Sequence, residues 1–135
     1  MILIVCVDDH NGMMFNHRRQ SQDRILRADI LELTDGKKLW MNAYSRKQFA
    51  ESDAEKIRVD ETFLDAAGDG EFCFVENADV SGCVERIEEI YLYRWNRDYP
   101  ADVYFPVDLS VWKCVETKEF AGSSHEKITR ERYTC

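Results

Sequence analysis

"IEEIYLYRWNRDYPADVYFP" (87–106) decides the fold class. Its first part, "EIYLYRW" (89–95), carries apolar and aromatic side chains on both faces, which predicts a strand inside a sheet. The second part, "RDYPADVYFP", is a turn-rich link and holds the chain's only two prolines, Pro100 and Pro106. Downstream, "WKCVETKEFA" and "EKITRERYT" alternate along their length and are joined through "GSS", which predicts a terminal hairpin.

Upstream, strand-like and helix-like stretches alternate. Ile2 to Val7 is a continuous apolar run and predicts a buried strand, followed by "DDHNG", a turn with Asn11-Gly12 suited to positive φ. Ser21 is a candidate cap for a helix over about 22–34, where Leu26, Ile30 and Leu33 make one apolar stripe and Gly36 ends it. "KLWMNAY" (38–44) predicts a second strand, and "SRKQFAESDAEK" a charged helix. "KIRVD" (56–60) is a short strand, "ETFLDAAGDG" a short helix, "EFCFVE" (71–76) a third core strand and "ADVSGCVERIEE" a polar helix. Strands alternating with helices before a terminal hairpin give an α/β mixed sheet flanked by helices, in one domain over 1–135.

The bulk numbers bound the function. At 135 residues with 44% hydrophobic and 12% aromatic content, the chain can bury a core. A net charge of −8 argues against extensive nucleic-acid binding. No apolar run reaches the ~18 residues that a membrane span needs, and the opening run is too short for a secretory signal, so a cytoplasmic location is expected. Five cysteines without a C-x-x-C pair, and three histidines far apart, give neither a disulfide framework nor a metal site. Cys6, Cys73 and Cys114 are expected to be buried in strands, and Trp95, beside Arg94, Asn96 and Arg97, to form a surface platform.

One local feature runs against the overall acidity. From Asn16 to Arg27 there are four arginines and one aspartate, a local charge of +3. Arg18 and Arg19 are expected just before a helix N-terminus, where an anion such as a phosphorylated ligand would bind. The other reading is a solvated face that pairs with the acidic remainder. His17 beside Arg18 and Arg19 also suggests a metal-free nuclease, with a base and a phosphate clamp.

In order and in several residues the chain resembles dihydrofolate reductase over nearly its whole length. "ILIVCVDDHNGMMFN" (2–16) is similar to that family's first strand and substrate loop. "LTDGKKLWMNAYSRKQF" (33–49) resembles its second strand and the Met-Gly-Arg-x-Thr turn, and "EFCFVENADV" (71–80) the strand that ends in Gly-Gly. "IEEIYLYRWNRDYPADVYFP" is similar to its strand, Asp, aromatic, Phe-Pro signature, and Trp112 with "ITRERY" (128–133) to its last two strands. The resemblance implies a dihydrofolate-reductase-like mixed sheet whose one cleft holds a pterin and NADPH. It also implies a single acid on the first helix that grips the pterin by paired hydrogen bonds.

The departures fall on that chemistry. The acid's place is taken by Ile25 or Leu26, and the loop's Pro-Trp by Arg19-Gln20. Met41-Asn42-Ala43-Tyr44-Ser45 lacks the phosphate-binding glycine and arginine, and Glu76-Asn77 replaces Gly-Gly at the diphosphate. Tyr93 stands where a threonine would assist the acid, and no Pro-Gly-Arg lies between Phe49 and Lys56. Asp29, one turn beyond the lost acid, is either a displaced acid or a carboxylate paired with a nearby cation; Glu76 is a candidate new acid in the old cleft.

The expectation is a scaffold that has lost reductase activity and acts as a small-molecule, anion-binding or regulatory module, without a cofactor. Its ligand-binding candidates are Asn16, Arg18, Arg19, Glu76, Asn77 and Tyr93, with Asp29 and His17 as reserve catalytic groups. The alternative is an active NADPH-dependent reductase of a pterin or pyrimidine. A homodimer is also expected, since loss of chain around the cleft would expose apolar surface for a second copy to cover.

Overall fold

The computed structural model describes residues 1–49 and 55–135. Strand β1 (Ile2–Val7) is central. β2 (Gly12–Phe15) and β3 (Arg18–Arg19) form a hairpin, followed by α1 (Arg24–Leu33), β4 (Leu39–Met41), α2 (Ala43–Arg46) and a 3-10 turn over Lys47–Phe49. Then come β5 (Ile57–Val59), α3 (Phe63–Ala66), β6 (Phe72–Phe74), β7 (Glu89–Arg94), β8 (Val103–Tyr104), β9 (Lys113–Phe120) and β10 (Ile128–Thr134).

Seven strands make one sheet in the order β5-β4-β6-β1-β7-β10-β9. β5, β4, β6, β1 and β7 are parallel, and β10 runs antiparallel to both β7 and β9. A small second sheet has the order β3-β2-β8. The predicted mixed sheet with its terminal hairpin is therefore present.

β1 is apolar throughout because both of its faces are covered. Leu3, Val5 and Val7 pack with Phe63, Leu92 and Phe105 on one side. Ile2 and Ile4 pack with Leu26, Ile30, Phe49 and Tyr93 on the other. Leu26 and Ile30, four apart on α1, are fully buried, so that helix covers this second face. No helix among the described residues is long and apolar enough to cross a membrane.

Several local expectations are corrected. The α1 cap is Asp23, whose Oδ1 accepts from the N–H groups of Ile25 at 2.9 Å and Leu26 at 3.2 Å, while Ser21 turns toward His125. Arg18 and Arg19 pair with Phe15 and Met14 across a hairpin instead of preceding the helix directly. Asn16 and His17 form its two-residue tip with φ of 52° and 62°, the backbone of a tight right-twisting hairpin turn. The expected strand 38–44 ends at Met41, where Asn42 caps α2. The later part of the charged helix falls on residues 50–54, outside the described residues. "ADVSGCVERIEE" holds only a 3-10 turn, Val84–Arg86, because Asp79 accepts from the Ser81 N–H and folds the backbone into a local turn. Cys114 is exposed on β9, and Trp95 is buried at 3% exposure.

Two buried carboxylates tie the helix to the terminal hairpin. Asp23 also accepts from the N–H groups of Ser123 and Ser124 at 3.0 and 2.8 Å. The 121–127 loop passes so close that a Cβ on Gly122 would collide with Asp23 Oδ2, so this glycine is set by close approach. Asp29, on α1, accepts from Tyr93 Oη at 2.5 Å, Lys118 Nζ at 2.7 Å and Arg130 at 2.8 Å.

Asp29→Ala leaves a buried hydroxyl and a half-buried guanidinium without their shared acceptor. It should lower stability by about 2–4 kcal/mol in urea unfolding. Burial raises the Asp23 carboxyl, but its hydrogen bonds from Ser123, Ser124 and His125 outweigh that and hold it well below the usual range. A carboxyl depressed below its unfolded value of about 4 stabilises fully above that pH, and the contribution drains as pH falls below it. Asp23→Asn keeps a capping side chain but should make the acid-induced fall in the urea midpoint shallower than in the wild type.

Candidate functional site

The chain leaves β1 for β4 on one side of the sheet and later reaches β7 on the other side, after inserting β6 next to β1. Parallel sheets place ligands outside the carboxyl ends of strands at such a reversal. Here those ends present Asp8 after β1, Glu76-Asn77 after β6, Trp95 after β7 and Asn42 after β4. The β2–β3 hairpin folds across them.

Asp8 builds the approach to that hairpin. It is 1% exposed; Oδ1 accepts from the N–H groups of His10 and Gly12, each at 2.8 Å, and Oδ2 from Gln20 Nε2 at 2.8 Å. Burial raises its carboxyl, and these bonds more than reverse that, so it stays ionised. Gly12 has no room for a side chain, since a Cβ would lie 2.5 Å from that of Ala101.

Arg19 then crosses the crevice to Glu76. Its Nε donates to Oε2 at 2.8 Å and its terminal nitrogen to Oε1 at 3.1 Å, a bidentate pair. Glu76 is 8% exposed and also accepts from Gln48 Nε2 at 3.2 Å. The Arg19 backbone N–H donates to Tyr44 Oη at 2.8 Å, and its guanidinium lies 4.5 Å from the Tyr44 ring centroid. Burial lowers the guanidinium's pKa, and Glu76 raises it further than that, so Arg19 is held charged. Beside the pair lies a small cavity of about 10 Å³, bordered by Cys6, Ser21, Phe74 and Trp95. That is room for one water molecule. Burial, and then the charge of Glu76, push the Cys6 thiol well up, which disfavours the nucleophilic thiolate.

The remaining candidates divide among three places. Arg18 is exposed and borders a pocket of about 280 Å³ with Phe15, Asn16, Tyr99 and Pro100. His17 borders a separate pocket of about 250 Å³ with Met14, Asn77 and Asp102. The Asn16 N–H donates to Asp102 at 3.0 Å, and Asn77 Oδ1 accepts from Asn42 at 2.7 Å. Asp29 and Tyr93 meet each other under α1. Burial, then Asp29, raise the Tyr93 hydroxyl far above its usual range, so it remains a donor.

One constellation is not assembled by the sequence, although Ser21 is a candidate cap there and Trp95 a candidate platform. His125 Nδ1 lies 3.0 Å from Asp23 Oδ2, with side chains 1% and 0% exposed. Its Nε2 faces Ser21 Oγ at 3.1 Å and Tyr99 Oη at 3.0 Å, and its ring stacks on Trp95 with centroids 4.5 Å apart. The available signals were short polar runs, "SQD" (21–23) and "SSH" (123–125), about a hundred residues apart.

No family model matches the chain, and no curated protein matches it. Among solved structures it is similar to dihydrofolate reductase from Enterococcus faecalis complexed with NADP(H) and RAB-propyl. The TM-score is 0.70 at 12% identity, covering 98% of this chain and 94% of that one. At that identity the likeness concerns the fold. The chain has a dihydrofolate-reductase-like α/β fold, with a mixed sheet and a C-terminal antiparallel hairpin.

Proposed function

We propose that this protein is a dihydrofolate-reductase-like scaffold that has lost reductase chemistry and serves, in the cytoplasm, as a binding module for a small anionic or phosphorylated ligand. One observation carries the reading: the Arg19–Glu76 pair spans the crevice between β6 and the hairpin, and the cavity beside it is about 10 Å³. The similar enzyme was complexed with NADP(H). The residues here do not fit a dinucleotide in that place. Glu76 sets a carboxylate where a pyrophosphate would lie, and its neutralising arginine is already engaged with it. On α1, buried Leu26 offers no acceptor, and Asp29 already accepts from Tyr93, Lys118 and Arg130, so its carboxylate is committed to the sheet and not free to grip a pterin.

The ligand surface is then the hairpin. Arg18 is exposed, unlike Arg19, and its pocket carries two aromatic walls, Phe15 and Tyr99. A phosphate or carboxylate would pair with the guanidinium while an apolar body lies against the rings. The nuclease reading is weaker, because His17 and Arg18 border different pockets that share no lining residue.

Two measurements test this reading. NADPH up to millimolar concentration should leave tryptophan fluorescence unchanged and its absorbance stable in the presence of dihydrofolate. Saturable binding with dihydrofolate-dependent oxidation would sink the proposal. Calorimetric titration with pyrophosphate should show binding, and Arg18→Glu should weaken it by about tenfold or more.

A further inference from the structure

The geometry points to a second, unrelated chemistry at the rim of the closed crevice: Ser21, His125 and Asp23 form a nucleophile, base and positioning carboxylate for acyl transfer from a small ester. The reactive serine does not rest on the anion-binding reading; only the charge of the preferred ester does.

The arrangement is built from two chain segments, 21–23 and 123–125, that have no local reason to meet. Ser21 lies between the hairpin and α1, Asp23 caps α1, and His125 comes from the loop between β9 and β10. Asp23 Oδ2 is 3.0 Å from His125 Nδ1, and His125 Nε2 is 3.1 Å from Ser21 Oγ. A nucleophile within hydrogen-bond reach of a base, itself oriented by a third group, is the arrangement that activates a hydroxyl. The base is held on every side. Its ring stacks on Trp95. The Asp23 carboxylate is fixed in turn by the backbone N–H groups of Ile25, Leu26, Ser123 and Ser124 and by the Ser124 hydroxyl. With Nδ1–H committed to Asp23, Nε2 presents its lone pair toward Ser21.

Location supports the same reading. Ser21 is half-buried and borders the residual crevice at the carboxyl ends of β1 and β6, where open α/β sheets carry their sites. The pocket of Arg18 and the small one that Ser21 borders share Arg19 and Gln20 in their walls, and Tyr99, which also borders the former, holds its hydroxyl 3.0 Å from Nε2. An ester with a carboxylate or phosphate group at Arg18 would lie along that shared wall, with its carbonyl end on the side of Ser21. Tyr99 also competes, because one lone pair on Nε2 faces two hydroxyls.

The step balances without a cofactor. Ser21 Oγ bonds to the ester carbonyl carbon as its proton passes to His125 Nε2. The bond from that carbon to the leaving oxygen breaks, and the leaving alcohol takes the proton from Nε2. A water then attacks the acyl-serine, gives one proton to Nε2, and releases the acid while Ser21 Oγ recovers that proton. Asp23 touches no reacting atom and acts through the imidazole.

The test is covalent labelling of the full chain by a biotinylated fluorophosphonate, which traps Ser21 Oγ on phosphorus as fluoride leaves, with the adduct located by peptide mass spectrometry. Labelling of Ser21 is expected in the folded protein and absent after denaturation. Asp23→Asn, which retains the cap, should slow it by about a hundredfold or more. Tyr99→Phe should speed it several-fold by leaving the Nε2 lone pair to Ser21, an effect no purely structural role of Tyr99 predicts. Should Asp23→Asn fail to fold, Ser21→Cys gives a second measurement: the thiol introduced by that substitution should be alkylated by iodoacetamide faster than the exposed Cys114 at neutral pH. Ser21 unlabelled in the native protein, or labelled at equal rates in wild type, Asp23→Asn and Tyr99→Phe, overturns the proposal. Slowing of labelling by pyrophosphate in the wild type but not in Arg18→Glu supports the anionic ester. Labelling of Ser21 without that competition overturns the ester's charge and leaves the nucleophile standing.

Discussion

A carboxylate can be buried only where donors meet its oxygens, and Asp23 meets that condition by drawing distant segments onto itself. Its two oxygens accept from the first turn of α1, from two backbone N–H groups of the 121–127 loop and from His125. The loop is therefore fixed against the helix start. That fixes the ends of β9 and β10, which carry Lys118 and Arg130 to Asp29. Packing of α1 on the second face of the sheet thus has two charged fastenings, one at its N-cap and one in its middle. In a chain of net charge −8, each buried acid has recruited its own donors.

The same rule governs the mouth of the sheet. Glu76 at the end of β6 would repel an anion and resist burial if left alone. Arg19, Gln48 and Tyr44 remove both difficulties, and in doing so occupy the space between β6 and the hairpin. A bidentate pair of this kind contributes modest net stability once desolvation is counted, but it specifies one position of the hairpin. Closure of the crevice is a consequence of neutralising one acid.

Much of the scaffold was legible in the residues alone. The unbroken apolar run of β1, the two-faced β7 and the alternation of β9 and β10 follow from burial periodicity, which is local information. The misreadings share a cause: the deciding partner lies far along the chain. Ser21 and Asp23 are both good caps, and the choice between them was made by Ser123 and Ser124. Arg18 and Arg19 look alike as sequence, yet Arg19 is joined to Glu76, 57 residues away, while Arg18 is exposed. Trp95 looked like a platform because its neighbours are polar, and it is buried because a histidine ring from residue 125 lies on it. Pairing of this kind is set by topology, and no window along the chain displays it.

The buried polar groups beneath α1 are also linked to one another physically. Leu26 is fully buried and packs dry with Ile4 and Phe74. Tyr93 fills that same face, but its buried hydroxyl needs an acceptor. Asp29 supplies one, and Asp29 in turn needs cations to remain ionised below the helix; Lys118 and Arg130 supply those from the hairpin. Each buried polar group creates a requirement that the next one meets. The pattern has the character of a self-consistent interior, in which each buried polar group is met by a partner from another element.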